Sequence, residues 1–347
     1  MKNNLVCLLL MCVFSFTALQ AQSLGEFKAS TSGSYGVKKL KQANKRIYIA
    51  QFKTNFEVFK DAVSYKSGSS FGGRNSATAK LAVALDGLDE NELKRITNEV
   101  YNDFVSDLKD AGLEIITADE AGKTEVYKDY TRREGGEIIP TKLPGVVTVT
   151  PENFSYYVKG LDKEGNEKKG WNPFSMDTDL NKNKKLAKEL GDVLVAKVDL
   201  NILFIEVKEG WSPGAAKVTF KTDLRLVSSD NITAEKKKGL RFKGSNDVFP
   251  VKTMVHITDA KGNNYNGTLK KALPIEGVLE KQKIKAVQSK GMSETATSFN
   301  PIVYTYDKTT RKFQSVPVDG AAYIKGAKMA MSKFLKHHLA ELKDKMK

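Results

Sequence analysis

The sequence predicts an α/β protein: a mixed, largely antiparallel sheet packed by an internal helix and a long C-terminal helix, with an inserted loop or small β region. Three observations predict it. An apolar run at 46–52 leads through a helical stripe to Gly112 and a second apolar run at 113–116. Two later runs, 198–204 and 218–226, alternate with a period of two. The chain closes on a helical pattern from 321 to about 345. Strand, helix, glycine stop and strand make an α/β unit, and period-two alternation with one wet and one dry face is the signature of antiparallel neighbours.

In chain order, residues 23–41 form a polar, Gly/Ser-containing lead-in, and Ile47, Ile49 and Phe52 mark the buried side of the first strand. Residues 55–75, carrying Tyr65 to Gly73, look like a glycine- and serine-rich loop. From Ala77 the spacing of Leu81, Ala84, Leu85 and Leu88 fits an alanine-rich helical stripe. A longer helix follows over 90–111, with Leu93, Ile96, Val100, Phe104 and Leu108 on one face. Gly112 supplies its C-cap. Residues 127–134 read as a polar helix or loop ended by Gly135 and Gly136, and 146–149 as a short strand. A helix at 183–190 stops at Gly191. The two alternating strands are joined through Gly210-Trp211-Ser212-Pro213-Gly214, a hairpin-type loop. Further strands are expected at 251–257, 301–306 and 313–316. On the closing helix Ile324, Ala327, Met331, Phe334 or Leu335, His338 and Leu342 trace the inner side. The domain reading is a core over 45–232 and 299–347, with 233–298 as a β-rich insertion or elaboration, after a lead-in at 22–44.

The first 21 residues address the protein. Lys2, an apolar stretch from Leu5 to Leu19 and the small residue Ala21 have the form of a secretory signal peptide, with an ending like those of Bacteroidetes-type bacteria. Both cysteines, Cys7 and Cys12, fall inside it. The exported chain would then use no disulfide, thiolate nucleophile or cysteine metal site, and Cys12, preceded by Met11, is poorly placed for lipid attachment. The expected location is periplasmic or peripheral to the outer membrane, or secreted. A formal charge of +15 reads either as a solvated basic surface or as attraction to an anionic surface as a partner. The lysines are spread along the chain, and nucleic acid is not expected for an exported protein.

Motifs for catalysis are absent. No glycine-rich phosphate loop followed by Gly-Lys-Ser/Thr occurs, and no Gly-x-Ser-x-Gly. Residues 177–188 lack the glycine and glutamate of a calcium loop. Three histidines exist: His256, expected on the wetter side of its strand, and the neighbours His337 and His338, expected partly exposed near a helix end. Adjacent histidines diverge by about 100°, so they form no i,i+4 metal pair. Catalytic, cofactor-binding and metal residues are therefore each read as none. The aromatic group Phe154, Tyr156, Tyr157 and Trp171 could stack on sugar rings or wall a small core, and Tyr156, Tyr157, Trp171 and Trp211 are the candidate ligand or partner contacts.

The ordered set Arg46-Ile-Tyr-Ile-Ala-Gln-Phe52, Val100 to Leu113 running into Ile115-Ile116, and Leu190-Gly-Asp-Val-Leu-Val-Ala196 before the strand pair resembles the periplasmic domain of the curli secretion channel (CsgG) family and the related TolB amino-terminal domain. The resemblance covers about 45–227 and 320–345, and implies a sandwich of that type in a non-enzymatic envelope protein that assembles or binds partners. The chain shows no transmembrane hairpin of the channel-forming branch. The expectation is an exported protein that binds or scaffolds a protein partner or itself, without a cofactor. The alternatives are a hydrolase acting on glycan with a carboxylate pair near Tyr156, Tyr157 and Trp171, and a basic peripheral protein binding anionic lipid.

Overall fold

The computed structural model describes residues 22–66, 77–140, 145–159, 180–209, 216–235, 246–287 and 313–347. Among them the fold is mixed α/β, a mostly antiparallel sheet with an internal helix and a long C-terminal helix. Its axis is the strand Leu194–Glu209. Along one side runs the opening strand Arg46–Glu57, parallel to it from Ile47 beside Leu194 to Phe56 beside Ile202. On the other side Met254–Thr258 pairs antiparallel with the first half and Lys217–Leu226 with the second. The purely antiparallel setting expected for this strand is thus corrected: one long edge is parallel. A strand flanked this way is central, and its apolar run reflects burial on both faces.

Further strands extend this sheet. Asn264–Leu269 and then Ala29–Ser30 lie beyond Met254–Thr258. Leu273–Glu276 and then Ser23–Leu24 lie beyond Lys217–Leu226. The outer edge of the opening strand takes Glu114–Ile116 in parallel and Val146–Val149 antiparallel.

The opening strand contains a bulge. Ile49 faces Ala196, but Gln51 faces Lys197, which leaves Ala50 as an extra residue. One inserted residue reverses the side-chain phase. Ile47 and Ile49 before it, and Phe52 and Phe56 after it, therefore all enter the same core. Against this face lie Leu93, Ile96, Val100, Phe104 and Leu108 of the helix Glu90–Asp110, with Tyr323, Ala327, Met331 and Phe334 of the closing helix Gly320–Met346. Each fully buried leucine, isoleucine, valine, phenylalanine or methionine among them contributes roughly 1.5–3 kcal/mol relative to exposure. Asp89 caps the first helix by accepting the Asn91 N–H at 2.6 Å. Gly112, with φ of 79°, ends it. There the Leu113 N–H reaches Leu108 O at 3.1 Å and the Gly112 N–H reaches Lys109 O at 2.8 Å, a Schellman closure.

Two local expectations fail. Ala77–Asp86 is a strand, paired antiparallel with a second strand, Phe59–Lys66, in place of the expected helix and loop; Gln314–Pro317 joins them in parallel. Leu81, Val83 and Leu85 enter the main core, while Ala82 and Ala84 pack with Phe59 and Phe313 on the other face. A strand apolar on both faces loses its period-two signature, and its alanines then mimic a helix. Second, Tyr130–Glu134 is a strand paired with Ser155–Lys159 after a short 3-10 turn at Glu125–Tyr127.

The run expected at 251–257 divides. Asn246–Lys252 forms a separate hairpin with Ser229–Glu235, and Met254–Thr258 returns to the main sheet. Thr253 sits between them and accepts the Asn201 N–H at 3.2 Å. The wet face expected for 197–203 is also corrected. Asn201 and Leu203 are buried and Asp199 is nearly so. Near Leu203 the cover is Val227, Ile232 and Val251. Near Val195 it is the helix Leu180–Glu189, through Leu186 and Ala187. The leader, the 67–75 part of the expected glycine- and serine-rich loop, the 210–214 connection and the expected strand at 301–306 lie outside the described residues.

Candidate functional site

Tyr156 and Tyr157 are successive residues of one strand and so point to opposite faces. Tyr156 stacks on Phe154 at 6.0 Å and packs against the main core. Tyr157 stacks on Tyr127 at 4.3 Å and donates its hydroxyl proton to Ala118 O at 2.9 Å. The aromatic group expected from sequence is therefore split between two cores. Sequence reading missed Tyr127 and Tyr130, whose rings lie 5.3 Å apart edge to face, with the Lys182 ammonium 4.2 Å above Tyr130. Among the described residues the carboxylates beside Tyr157 are Asp119 and Glu134, and both are ion-paired to Arg132. Trp171 and Trp211 lie outside the described residues.

Between the two hydrophobic covers, the sheet carries a polar stripe. The Lys53 ammonium meets Asp199 at 2.9 Å. The same carboxylate accepts from Asn55 at 2.7 Å and from Asn201 at 3.0 Å, and Thr148 donates to Asn55 Oδ1 at 2.6 Å. Burial raises the Asp199 carboxyl above its ordinary range, with the Lys53 charge opposing that rise. Farther along, Glu57 accepts the N–H groups of Phe204 and Ile205 at 3.0 and 3.1 Å. That is where the register between the central strand and Lys217–Leu226 shifts, so the carboxylate satisfies backbone donors that the irregularity frees.

His256 is buried and not on a wet face: it is 3% exposed, and burial, aided by the Lys197 charge, lowers its pKa to about 4. His337 is exposed, but His338 is fully buried, which corrects the expectation of a partly exposed imidazole. The Tyr265 hydroxyl lies 2.7 Å from His338 Nδ1, and Nε2 lies 3.0 Å from Thr268 O. A carbonyl only accepts, so Nε2 carries the proton and Nδ1 accepts from Tyr265. Burial lowers the His338 pKa to about 4 as well. His337, His338 and Glu341 bring ligand-type atoms within 4.8 Å of one another. The Nδ1 lone pair is engaged by Tyr265, and Glu341 is ion-paired to Lys345 at 2.5 Å. This is a structural network that ties helix to sheet.

A cavity of about 470 Å³ opens where the two long helices end. Leu108, Ala111, Leu113, Leu339, Leu342 and Met346 form its floor. Lys41, Lys45, Lys343 and Lys347 stand around it. Its walls come from three segments far apart in sequence, and only the helix stripes gave any sign of it.

No protein-family model, curated protein or solved structure matches this chain.

Proposed function

We propose that the chain is a non-enzymatic, exported protein of the cell envelope that binds or scaffolds partners, self-association included. The observation that carries this reading is the use made of the buried carboxylates. Asp199 is engaged by Lys53, Asn55 and Asn201, while Glu57 takes two backbone N–H groups on Oε2 and faces the Lys60 ammonium at 3.5 Å from Oε1. A general acid or base needs hydrogen-bond reach to a substrate proton, whereas these groups serve the sheet itself. The pairing of Asp119 and Glu134 with Arg132 likewise favours binding over hydrolysis of glycan beside Tyr157.

The signal-like leader and the sequence resemblance to the curli secretion channel and TolB domains support the envelope assignment. The test is the mass of the leader-cleaved protein by light scattering after chromatography, with and without detergent-solubilised envelope. A discrete oligomer or envelope association is expected. A monomer of about 36 kDa that ignores envelope material would overturn the reading.

A further inference from the structure

We propose that the cavity at the helix ends binds a single-chain amphiphile with an anionic head, such as a long-chain carboxylate. The proposal stands or falls without the scaffold reading.

The floor argues for a hydrocarbon tail. Leu108, Leu339 and Leu342 are themselves buried, so the cavity wall is the outer surface of the main core rather than a scatter of surface leucines. Its volume falls within the ~300–1,000 Å³ of small-ligand pockets, which favours one chain over a flat bilayer or protein face.

The rim argues for the head. Lys41, Lys45 and Lys343 line the cavity, and these three make no ion pair among the described residues. Lys347 is paired to Asp344 at 2.7 Å. Both helices also turn their carbonyl ends toward this region, which offsets part of the positive charge. Lysines in the last turn of a helix are commonplace for that reason, and Lys41 and Lys343 are of that kind, but Lys45 lies outside any helix, directly before the opening strand. Two separate parts of the chain thus bring three ammonium groups without an ion-pair partner among the described residues to one cavity. An ammonium on a flexible stem can also lie along a tail while its charge meets the head.

The test is calorimetric titration of the purified protein with sodium dodecanoate below its micellar concentration, beside dodecyltrimethylammonium of equal chain length and vesicles of anionic phospholipid. Dodecanoate is expected to bind saturably at one per chain, and at least about tenfold tighter than the cationic analogue. Ala111→Trp fills the cavity and is expected to abolish both. The combined Lys41→Gln, Lys45→Gln and Lys343→Gln variant, exposed throughout and so foldable by circular dichroism, is expected to weaken dodecanoate about tenfold while sparing the analogue. Absence of one-to-one binding, equal affinity for both heads, indifference to the lysine variant, or vesicle adsorption without dodecanoate binding would each overturn the proposal.

Discussion

His256 and His338 are neutral because the fold gives them no water, and this couples stability to pH. Their pKa values fall from 6.5 to about 4 on folding, so the unfolded chain binds more protons between those limits. Their contribution is complete above about pH 6.5 and is lost as pH falls toward 4. Each histidine adds a slope of up to about 1.4 kcal/mol per pH unit within that window. Urea unfolding at pH 7, 6 and 5 should show the decline, and His338→Gln should flatten it by about one proton; an unchanged slope would refute the assignment. Asp199→Ala should cost about 3–5 kcal/mol in the same assay, because Lys53, Asn55 and Asn201 lose a shared acceptor. The burial of His256 could not be read from sequence. His256 alternates with apolar residues as a surface residue would, and the cover over that face comes from distant segments. His338 was legible as inward-facing, since it shares the helical stripe of Phe334 and Leu342, but its partners Tyr265 and Thr268 were not.

At the scale of elements, the long helices were the most legible because their apolar spacing, caps and stops agree. Asp319 caps the closing helix by accepting the Ala322 N–H at 3.0 Å, and Asp319→Ala should lower stability by about 1 kcal/mol in thermal unfolding. The strand from Ala77 to Asp86 was misread because a doubly buried strand and a helix share i,i+4 apolar positions. Its exit turn has a sharper requirement. Gly87 has φ of 103°, and the Val318 carbonyl oxygen occupies the place a Cβ would take. Gly87→Ala should cost more than the ~1 kcal/mol of positive φ alone, whereas the same change at Gly112, where nothing lies within 4 Å, should cost only the backbone part. Equal losses at the two sites would contradict this account.

For the molecule as a whole, the central strand is shared by the two flanking arms of the sheet, so neither arm has an independent edge at which to part. Denaturant unfolding should give one transition, coincident by circular dichroism and tyrosine fluorescence; two separated transitions would show that the arms fold apart. The sheet class was legible from period-two runs, but the parallel edge was not, since the hydrophobic pattern of one strand does not state the direction of its neighbour. The cavity was hidden for a related reason: its walls converge only after the helices dock.

The lead-in has a consequence for the order of events during synthesis. Ser23 and Leu24 pair with Glu276 and Ile275, Ala29 and Ser30 with Leu269 and Thr268, and the Gln22 side chain donates to Ala322 O at 2.7 Å. These early residues leave the ribosome long before any of those partners exist. They must wait, unpaired, through almost the whole of translation, and their docking records that the far end of the chain has arrived.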